Sequence, residues 1–296
     1  ASSSCPYCCS FCTTAAFYGQ YIEKLPKETY EEVIQQFEKY NKRLFFMTDS
    51  LLNNVITSLS VEFIKSKYTF YLDGYFRVCN EATDLKNTIL WRQGGLYRVR
   101  IGVESGSQKI LDLMDKKITV EQTRATLIGF AYAGIKTTAY FVIGHPEETE
   151  EDFQMTLDLL EEMKNYIWQA ECNPFTYHYK NQGSSDRWAK FRKPLYPERA
   201  KDILITQSWV VDCEPSREVA YERVFRFTEK CKELKIPNPY SIEEIYKADE
   251  RWKSLHKNAV PNLVHIMNNE IEIDESKKIT IPEFVISETN TTEFGF

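Results

Sequence analysis

The 296-residue sequence has no run of 18 or more apolar residues, so no segment has the make-up of a membrane-spanning helix. Its start shows no signal-peptide pattern, which places the expected location in the cytoplasm, where thiols stay reduced. It has no excess of positive charge either. Its 37 Lys and Arg stand against 43 Asp and Glu, a net charge of −6. The global field therefore does not favour a polyanion, and nucleic acid is not an expected partner. No internal repeat of solenoid type and no low-complexity tract occurs. The first residue is Ala1 rather than Met, which reads as an excised fragment or a processed start.

What is present is sulfur. Eight cysteines occur, and four of them fall in one stretch, Cys5-Pro-Tyr-Cys8-Cys9-Ser-Phe-Cys12. The other four, Cys79, Cys172, Cys213 and Cys231, are scattered, and Cys213 and Cys231 form no second cluster pattern. A chain of this length, 43% hydrophobic, can build its core without disulfides. In a reducing compartment, clustered thiols mean metal or redox chemistry. A thioredoxin-like pair needs two thiols, not four. A zinc site usually takes two pairs set a dozen or more residues apart. A bacterial ferredoxin run would put its third cysteine at position 11, which is Phe11. Three of the four remain as a solution: Cys5-x-x-x-Cys9-x-x-Cys12, with the set Cys5, Cys8 and Cys12 also conceivable. Three thiolates can hold a [4Fe–4S] cube and leave one iron open to chemistry.

Strand-like and helix-like stretches alternate between about residues 28 and 180. A Thr29-x-x-Glu32 box predicts a helix to about Asn41. Strands are predicted at Arg43–Asp49, Tyr68–Arg77, Tyr97–Glu104, Lys136–Gly144 and Ile167–Tyr179. Helices between them are predicted from about Ala82 to Gln93, after the Thr119-x-x-Gln122 box, and after the Thr149-x-x-Asp152 box. Five strands alternating with helices argue a parallel sheet, either doubly wound or a closed or partial barrel. In either case function gathers at the C-terminal ends of the strands. Beyond about residue 181, QGSSDR reads as a loop, helices are predicted near 197–212, 216–235 and 241–257, and the end is polar. The expected division is a barrel over 1–180, a helical extension over 181–270 and a tail over 271–296.

The Cys5-x-x-x-Cys9-x-x-Cys12 motif, with Phe11 before its last cysteine, resembles the signature of radical S-adenosylmethionine (radical SAM) enzymes. Ile101–Gln122, IGVESGSQKILDLMDKKITVEQ, resembles the fourth-strand segment of one large branch of that superfamily. Tyr140–Phe153, YFVIGHPEETEEDF, resembles the fifth-strand segment of the same branch. The branch includes enzymes with an upstream cobalamin-binding domain, methylthiotransferases and anaerobic cyclases. The resemblance implies a parallel (β/α)6 partial barrel of TIM type, its first strand missing here, with a C-terminal helical appendage. It also implies a [4Fe–4S] cluster on Cys5, Cys9 and Cys12, S-adenosylmethionine on the fourth iron, and cobalamin from an upstream region. Cofactor contacts would come from Phe11, Asp49, Glu104, Ser105, Lys116, Ile143 and Gly144. Gly144 would let backbone approach adenine, and Cys8 is extra to the motif. Substrate-side positions are Tyr71, Asp73, Arg77, Tyr177 and His178; His145 is expected to be a packed or solvated imidazole, with acid–base work at the rim the alternative.

The resemblance thus implies reductive cleavage of S-adenosylmethionine to a 5′-deoxyadenosyl radical, with methyl transfer to a small molecule or peptide as the expected outcome. Methylthiolation, or an oxidative or ring-forming reaction, is the alternative. A reductant such as flavodoxin or ferredoxin is the expected partner. A competing reading from another class is a non-catalytic protein whose cysteines hold zinc or a cluster only to staple a loop.

Overall fold

The computed structural model describes residues 1–178, 192–194, 208–211, 213–237 and 241–268. Its centre is a five-stranded parallel sheet: β3 (Leu44–Met47), β4 (Tyr71–Arg77), β5 (Leu96–Glu104), β6 (Lys136–Ile143) and β7 (Gln169–Pro174). The short β1 (Ser2–Ser3) and β2 (Ile22–Glu23) form a separate antiparallel pair. The strands of the large sheet lie in sequential order, all parallel. A doubly wound sheet reverses its order at a switch point. This one does not, which makes it an open segment of a TIM-type barrel.

The crossovers are helical. In chain order the helices up to β7 are α1 (Thr14–Tyr18), α2 (Pro26–Tyr40), α3 (Ile56–Ile64), α4 (Leu85–Gln93), α5 (Gln108–Leu113), α6 (Val120–Tyr132) and α7 (Glu150–Glu162). The boxes at Thr119 and Thr149 are both formed, with Gln122 and Asp152 returning hydrogen bonds to the cap backbone. The box expected at Thr29 is not. Helix α2 starts one turn earlier at Pro26, which suits the first helical position, and Glu28 accepts from the Leu25 N–H at 3.4 Å. Thr29 lies buried inside the helix.

Side chains alternate across each strand. Leu72 and Phe76, Val99, Ile101 and Val103, and Ala139, Phe141 and Ile143 join the core under the helices. Asp73, Tyr75 and Arg77, Arg98, Arg100 and Glu104, and Thr138 and Tyr140 fall on the other, inner face. The core is continued by α8 (Arg217–Glu233), whose Phe227 ring packs 5.0 Å from that of Phe141.

The barrel floor is closed by α9 (Ile242–Leu255) and α10 (Leu263–Met267). Trp252 and Leu263 pack with Tyr97 and Trp168 in a second cluster. Gly134, at φ 76°, is the point of closest approach: a Cβ there would lie 1.7 Å from the Asn258 carbonyl oxygen. Its own carbonyl accepts from Trp252 Nε1 at 3.1 Å and from Val260 N at 3.1 Å.

The helices expected near 216–235 and 241–257 are α8 and α9. The one expected near 197–212 is corrected in part. Residues Ser208–Val211 form β10, antiparallel to β8 (Tyr177–His178) and β9 (Arg192–Pro194). Trp209, Val210 and Val211 are strand formers once partner strands are present. The rest of that expected helix, the QGSSDR loop and the polar tail lie outside the described residues. Among those described, no helix is long and apolar enough to cross a membrane.

Candidate active site

The cysteine loop is held at both ends and in the middle. The β1–β2 pair brackets it, and Ser4 Oγ donates to the Gly19 carbonyl at 2.6 Å. Its centre is tied to the end of α5. That helix closes in a Schellman turn. Asp115 sits at φ 49°, its N–H reaches Asp112 O at 3.0 Å, and the Lys116 N–H reaches Leu111 O at 3.0 Å. Two carbonyls left over at the helix end are taken by the loop: Ser10 N donates to Met114 O at 2.8 Å and Ser10 Oγ to Leu113 O at 3.0 Å.

The same turn delivers Lys116 to the end of β5. Lys116 Nζ donates to Glu104 Oε1 at 2.5 Å, both side chains 8% exposed. It also stands 5.6 Å from the centre of the Phe11 ring. Glu104 is held at φ 66°, at a register shift in the β5–β6 ladder, and the Ser105 N–H closes the turn onto Val103 O at 2.9 Å. Such a conformation in a non-glycine residue costs about 1–3 kcal/mol and marks functional sites. Gly102 makes room for the pair, because a Cβ there would meet Glu104 Oε1 at 2.2 Å.

The sulfurs are unequal. Cys9 is buried, Cys5 and Cys12 are half-buried and Cys8 is exposed. Arg77, at the end of β4, donates from Nη1 to Cys9 Sγ at 3.2 Å and lies 4.1 Å over the Tyr7 ring. Its Nη2 is buried without a hydrogen-bond partner. Its backbone is pinned by Asn53, which accepts from Arg77 N and donates to Arg77 O, both at 2.9 Å. Cys12 Sγ accepts from Thr14 N at 3.4 Å. Burial pushes the Cys5 thiol up; a backbone N–H and Arg77 oppose this, and Cys12 and Cys9 add to it.

Soft thiolates on one loop, one of them beside a fixed cation, are a donor set that fits an iron–sulfur cluster. Among the described residues no three His, Cys, Asp or Glu side chains converge on a point that suits a single metal ion. A cube offers its irons at separate corners, so its thiolates need not converge on one point.

Other expected positions have different neighbours. Asp49, after β3, accepts from the Ser2 N–H. Ser105 is fully buried and bonds to Thr156 Oγ1 at 3.2 Å and the Ser107 N–H at 3.1 Å, which fastens α5 to α7. Ile143 O accepts from Phe175 N at 2.7 Å. Gly144 has φ 77°, and a Cβ there would lie 2.3 Å from Ala220 Cβ of α8. The glycine is required by that conformation and by the helix crossing above it, a physical reason other than room for adenine. His145 is fully buried, edge-on to Phe175 at 5.0 Å, a packed imidazole. Tyr71 belongs to the floor cluster. Asp73 pairs with Arg98 and Arg100, Tyr177 is buried in β8, and the side chain of His178 lies outside the described residues.

Sequence reading missed the strut beneath the fifth-strand turn. Glu148 accepts from Gly144 N at 2.8 Å and from Arg223 Nη1 of α8 at 3.0 Å. Burial pushes its carboxyl up to about 7, against the pull of both donors. Nearby Asp152 is also penalised by burial. The Lys109 ammonium at 2.7 Å, the Ser107 hydroxyl at 2.7 Å and Thr149 nevertheless hold its pKa down at about 2.

A family model described as the radical SAM superfamily matches residues 2–160. The chain belongs to the radical SAM superfamily. Its relatives include the anaerobic magnesium-protoporphyrin IX monomethyl ester cyclase of Rubrivivax gelatinosus, 28% identical over 196 residues, 64% of this chain and 35% of that protein. Another is the cytidylyl-2-hydroxyethylphosphonate methyltransferase of Streptomyces wedmorensis, 27% identical over 54% of this chain and 32% of that one. This radical SAM chain therefore spans about a third of the length of either relative. Among solved structures it is similar in fold to the radical SAM methyltransferase TsrM from Kitasatospora setae. The TM-score is 0.63 at 14% identity, covering 90% of this chain and 59% of that one. Radical SAM proteins are enzymes that use a [4Fe–4S] cluster and S-adenosylmethionine with a reductant, and their relatives here include methyltransferases, cyclases and methylthiotransferases.

Proposed function

We propose that Cys5, Cys9 and Cys12 hold a [4Fe–4S] cluster, and that the chain carries the catalytic barrel of a radical SAM enzyme that transfers a methyl group to a small molecule or peptide. The observation that carries this reading is the convergence of the motif loop, Arg77 and the Lys116–Glu104 pair on the C-terminal ends of the strands. Bound there, the cluster and S-adenosylmethionine supply an electron and a breakable sulfonium bond, hence a 5′-deoxyadenosyl radical.

The chain's own residues hold, orient and shield. Ser10 and the end of α5 fix the loop, and Arg77 balances charge at Cys9. Lys116 and Glu104 offer an ammonium and a carboxylate suited to the cofactor's carboxylate and ribose hydroxyls. Asp49, buried after β3, offers a carboxylate suited to the cofactor's α-amino group. Cobalamin on a region outside this chain is the proposed methyl carrier; a methyltransferase relative and a cobalamin-binding methyltransferase among the fold neighbours accord with it, and cyclisation or methylthiolation, the work of other relatives, is the alternative. Flavodoxin or ferredoxin is the proposed electron donor, and the cytoplasm the proposed location.

Anaerobic reconstitution followed by EPR of the reduced protein tests the site. About four irons per chain, and a signal that changes when S-adenosylmethionine is added, are expected. Zinc in place of iron, or a signal indifferent to the cofactor, would return the loop to a structural role.

A further inference from the structure

Beneath the sulfur loop, the inner face of the sheet carries a cluster that the radical chemistry does not use. Asp73 of β4 lies in register with Phe46 on one side and Arg98 on the other. One rung towards the rim, Tyr75, Arg100, Thr138 and Gln169 run across four strands in register. Both guanidinium groups converge on one carboxylate. Arg98 Nε donates to Asp73 Oδ2 at 2.9 Å, and Arg100 donates from Nε to Oδ1 at 3.1 Å and from Nη2 to Oδ2 at 2.9 Å. Among the described residues Asp73 is their only ion-pair partner. Two cations share one directly paired anion, with the Glu171 carboxyl within electrostatic reach of both; Arg100 Nη1 also donates to Tyr140 Oη at 3.4 Å, and the Arg100 side chain is 22% exposed.

Three polar atoms on the Arg100 rung have no partner: Thr138 Oγ1, one strand away, and Gln169 Nε2 and Oε1, two strands away, on residues 2% and 0% exposed. Buried polar groups of this kind are seldom left unpaired without a ligand or water to meet them. Exposed rings flank the arginine. Its guanidinium lies 4.7 Å from the Phe46 ring centre, and the Phe46 and Tyr75 rings are 5.8 Å apart. Glu171 stands on the next rung opposite Tyr140. Burial pushes its carboxyl up, against Arg100 and Arg98.

We propose that this patch is the substrate's anchoring site and that the substrate is a flat aromatic molecule bearing a carboxylate. Arg100 would take the carboxylate with a two-pronged hydrogen bond, Gln169 and Thr138 would complete its shell, and Phe46 and Tyr75 would flank the ring. Four residues of strand separate Arg100 from Glu104, about 13 Å at ~3.3 Å each. A carboxylate held at Arg100 therefore lets a one- or two-ring body extend towards the rim. The assignment rests on the radical SAM reading of the rim, and the test separates the two.

The probes are 2-naphthoate and its neutral analogue 2-naphthamide, titrated into the reconstituted chain by saturation-transfer NMR. The naphthoate is expected to bind at least tenfold tighter. Arg100→Gln should erase that preference, and Arg100→Lys should restore part of it. Phe46→Ala, at a position 47% exposed, should weaken both probes alike without a folding burden. Equal binding of the two probes, no binding of either, or a preference that survives Arg100→Gln overturns the proposal; water would then be what the orphaned atoms hold. EPR of Arg100→Gln should keep its response to S-adenosylmethionine. If that response is missing in the wild type while the preference holds, the rim reading fails and the anion site stands. The reverse pattern sinks the anion site alone.

Discussion

The two ends of the barrel obey different rules. At the floor, Trp252, Trp168 and Tyr97 are fully buried together, and Lys136 Nζ meets Asp249 Oδ1 at 2.6 Å and the Pro261 carbonyl at 3.0 Å. Every large group there serves closure. At the rim, Glu104 is held in a left-handed conformation and a buried Arg77 nitrogen lacks a partner, while Cys8 is exposed. Buried polar atoms without a partner occur at both ends, Tyr97 Oη and Trp168 Nε1 at the floor and Arg77 Nη2 at the rim; what sets the rim apart is the strained Glu104 backbone and the thiol loop. Stability and chemistry are thus set at opposite ends of the same strands, and substitutions at the two ends should separate them.

The largest separation is expected at the sulfurs. Cys9→Ser should abolish cluster assembly, read as iron per chain and loss of the reduced-state EPR signal, with little change in the unfolding midpoint of the apoprotein. Cys8→Ser should assemble a normal cluster. The opposite pair of results would select Cys5, Cys8 and Cys12 as ligands. The floor should behave in the converse way. Trp252→Ala removes a fully buried indole and its hydrogen bond to Gly134, and should cost about 3–5 kcal/mol in urea unfolding. Iron bound per folded chain should stay as in the wild type.

An intermediate effect is expected where rim and scaffold meet, at Glu148. Its carboxyl is raised in the folded state, so the native protein holds a proton there that the unfolded chain releases between pH 4.5 and about 7. Stability from this group is fully present below the ordinary carboxylate range and is lost as pH rises towards 7. Between pH 5.5 and 8 the loss should be about 2 kcal/mol, and Glu148→Gln should remove that slope from urea denaturation. A slope unchanged in the variant would place the titration elsewhere.

Much of this architecture was legible because its signals are local. The Thr119 and Thr149 boxes each fit within four residues, and the strands of the large sheet announced themselves by short apolar runs between turn residues. Thr29 misled because Pro26, three residues earlier, is the stronger helix start. The 208–211 segment was misread because its β-prone residues need partner strands far away in sequence. The three-cysteine spacing was legible for the same local reason. What could not be read was pairing at a distance. Arg77 meets Cys9 across 68 residues and Arg223 meets Glu148 across 75, with no periodicity to announce either. The room required at Gly144 was likewise set by Ala220, on a helix that the motif itself does not contain.

The smallest effect is the most specific to the rim. Arg77 sets a positive charge 3.2 Å from Cys9 Sγ, and hydrogen bonds to a cluster's sulfurs are among the factors that set its potential. Reduction adds negative charge to the cluster, so a neighbouring cation favours the reduced form. Arg77→Gln keeps a side-chain donor but removes the charge, and should lower the cluster's reduction potential. A loss of about 1.4 kcal/mol corresponds to about 59 mV for one electron. Arg77→Lys keeps the charge without the planar fork and should fall between the two. The check is a spectroelectrochemical titration of the reconstituted protein, with iron content confirming that the cluster is whole. If the three proteins share one potential, Arg77 serves only to pack against Tyr7, and the rim would owe its electrostatics to the Lys116–Glu104 pair instead.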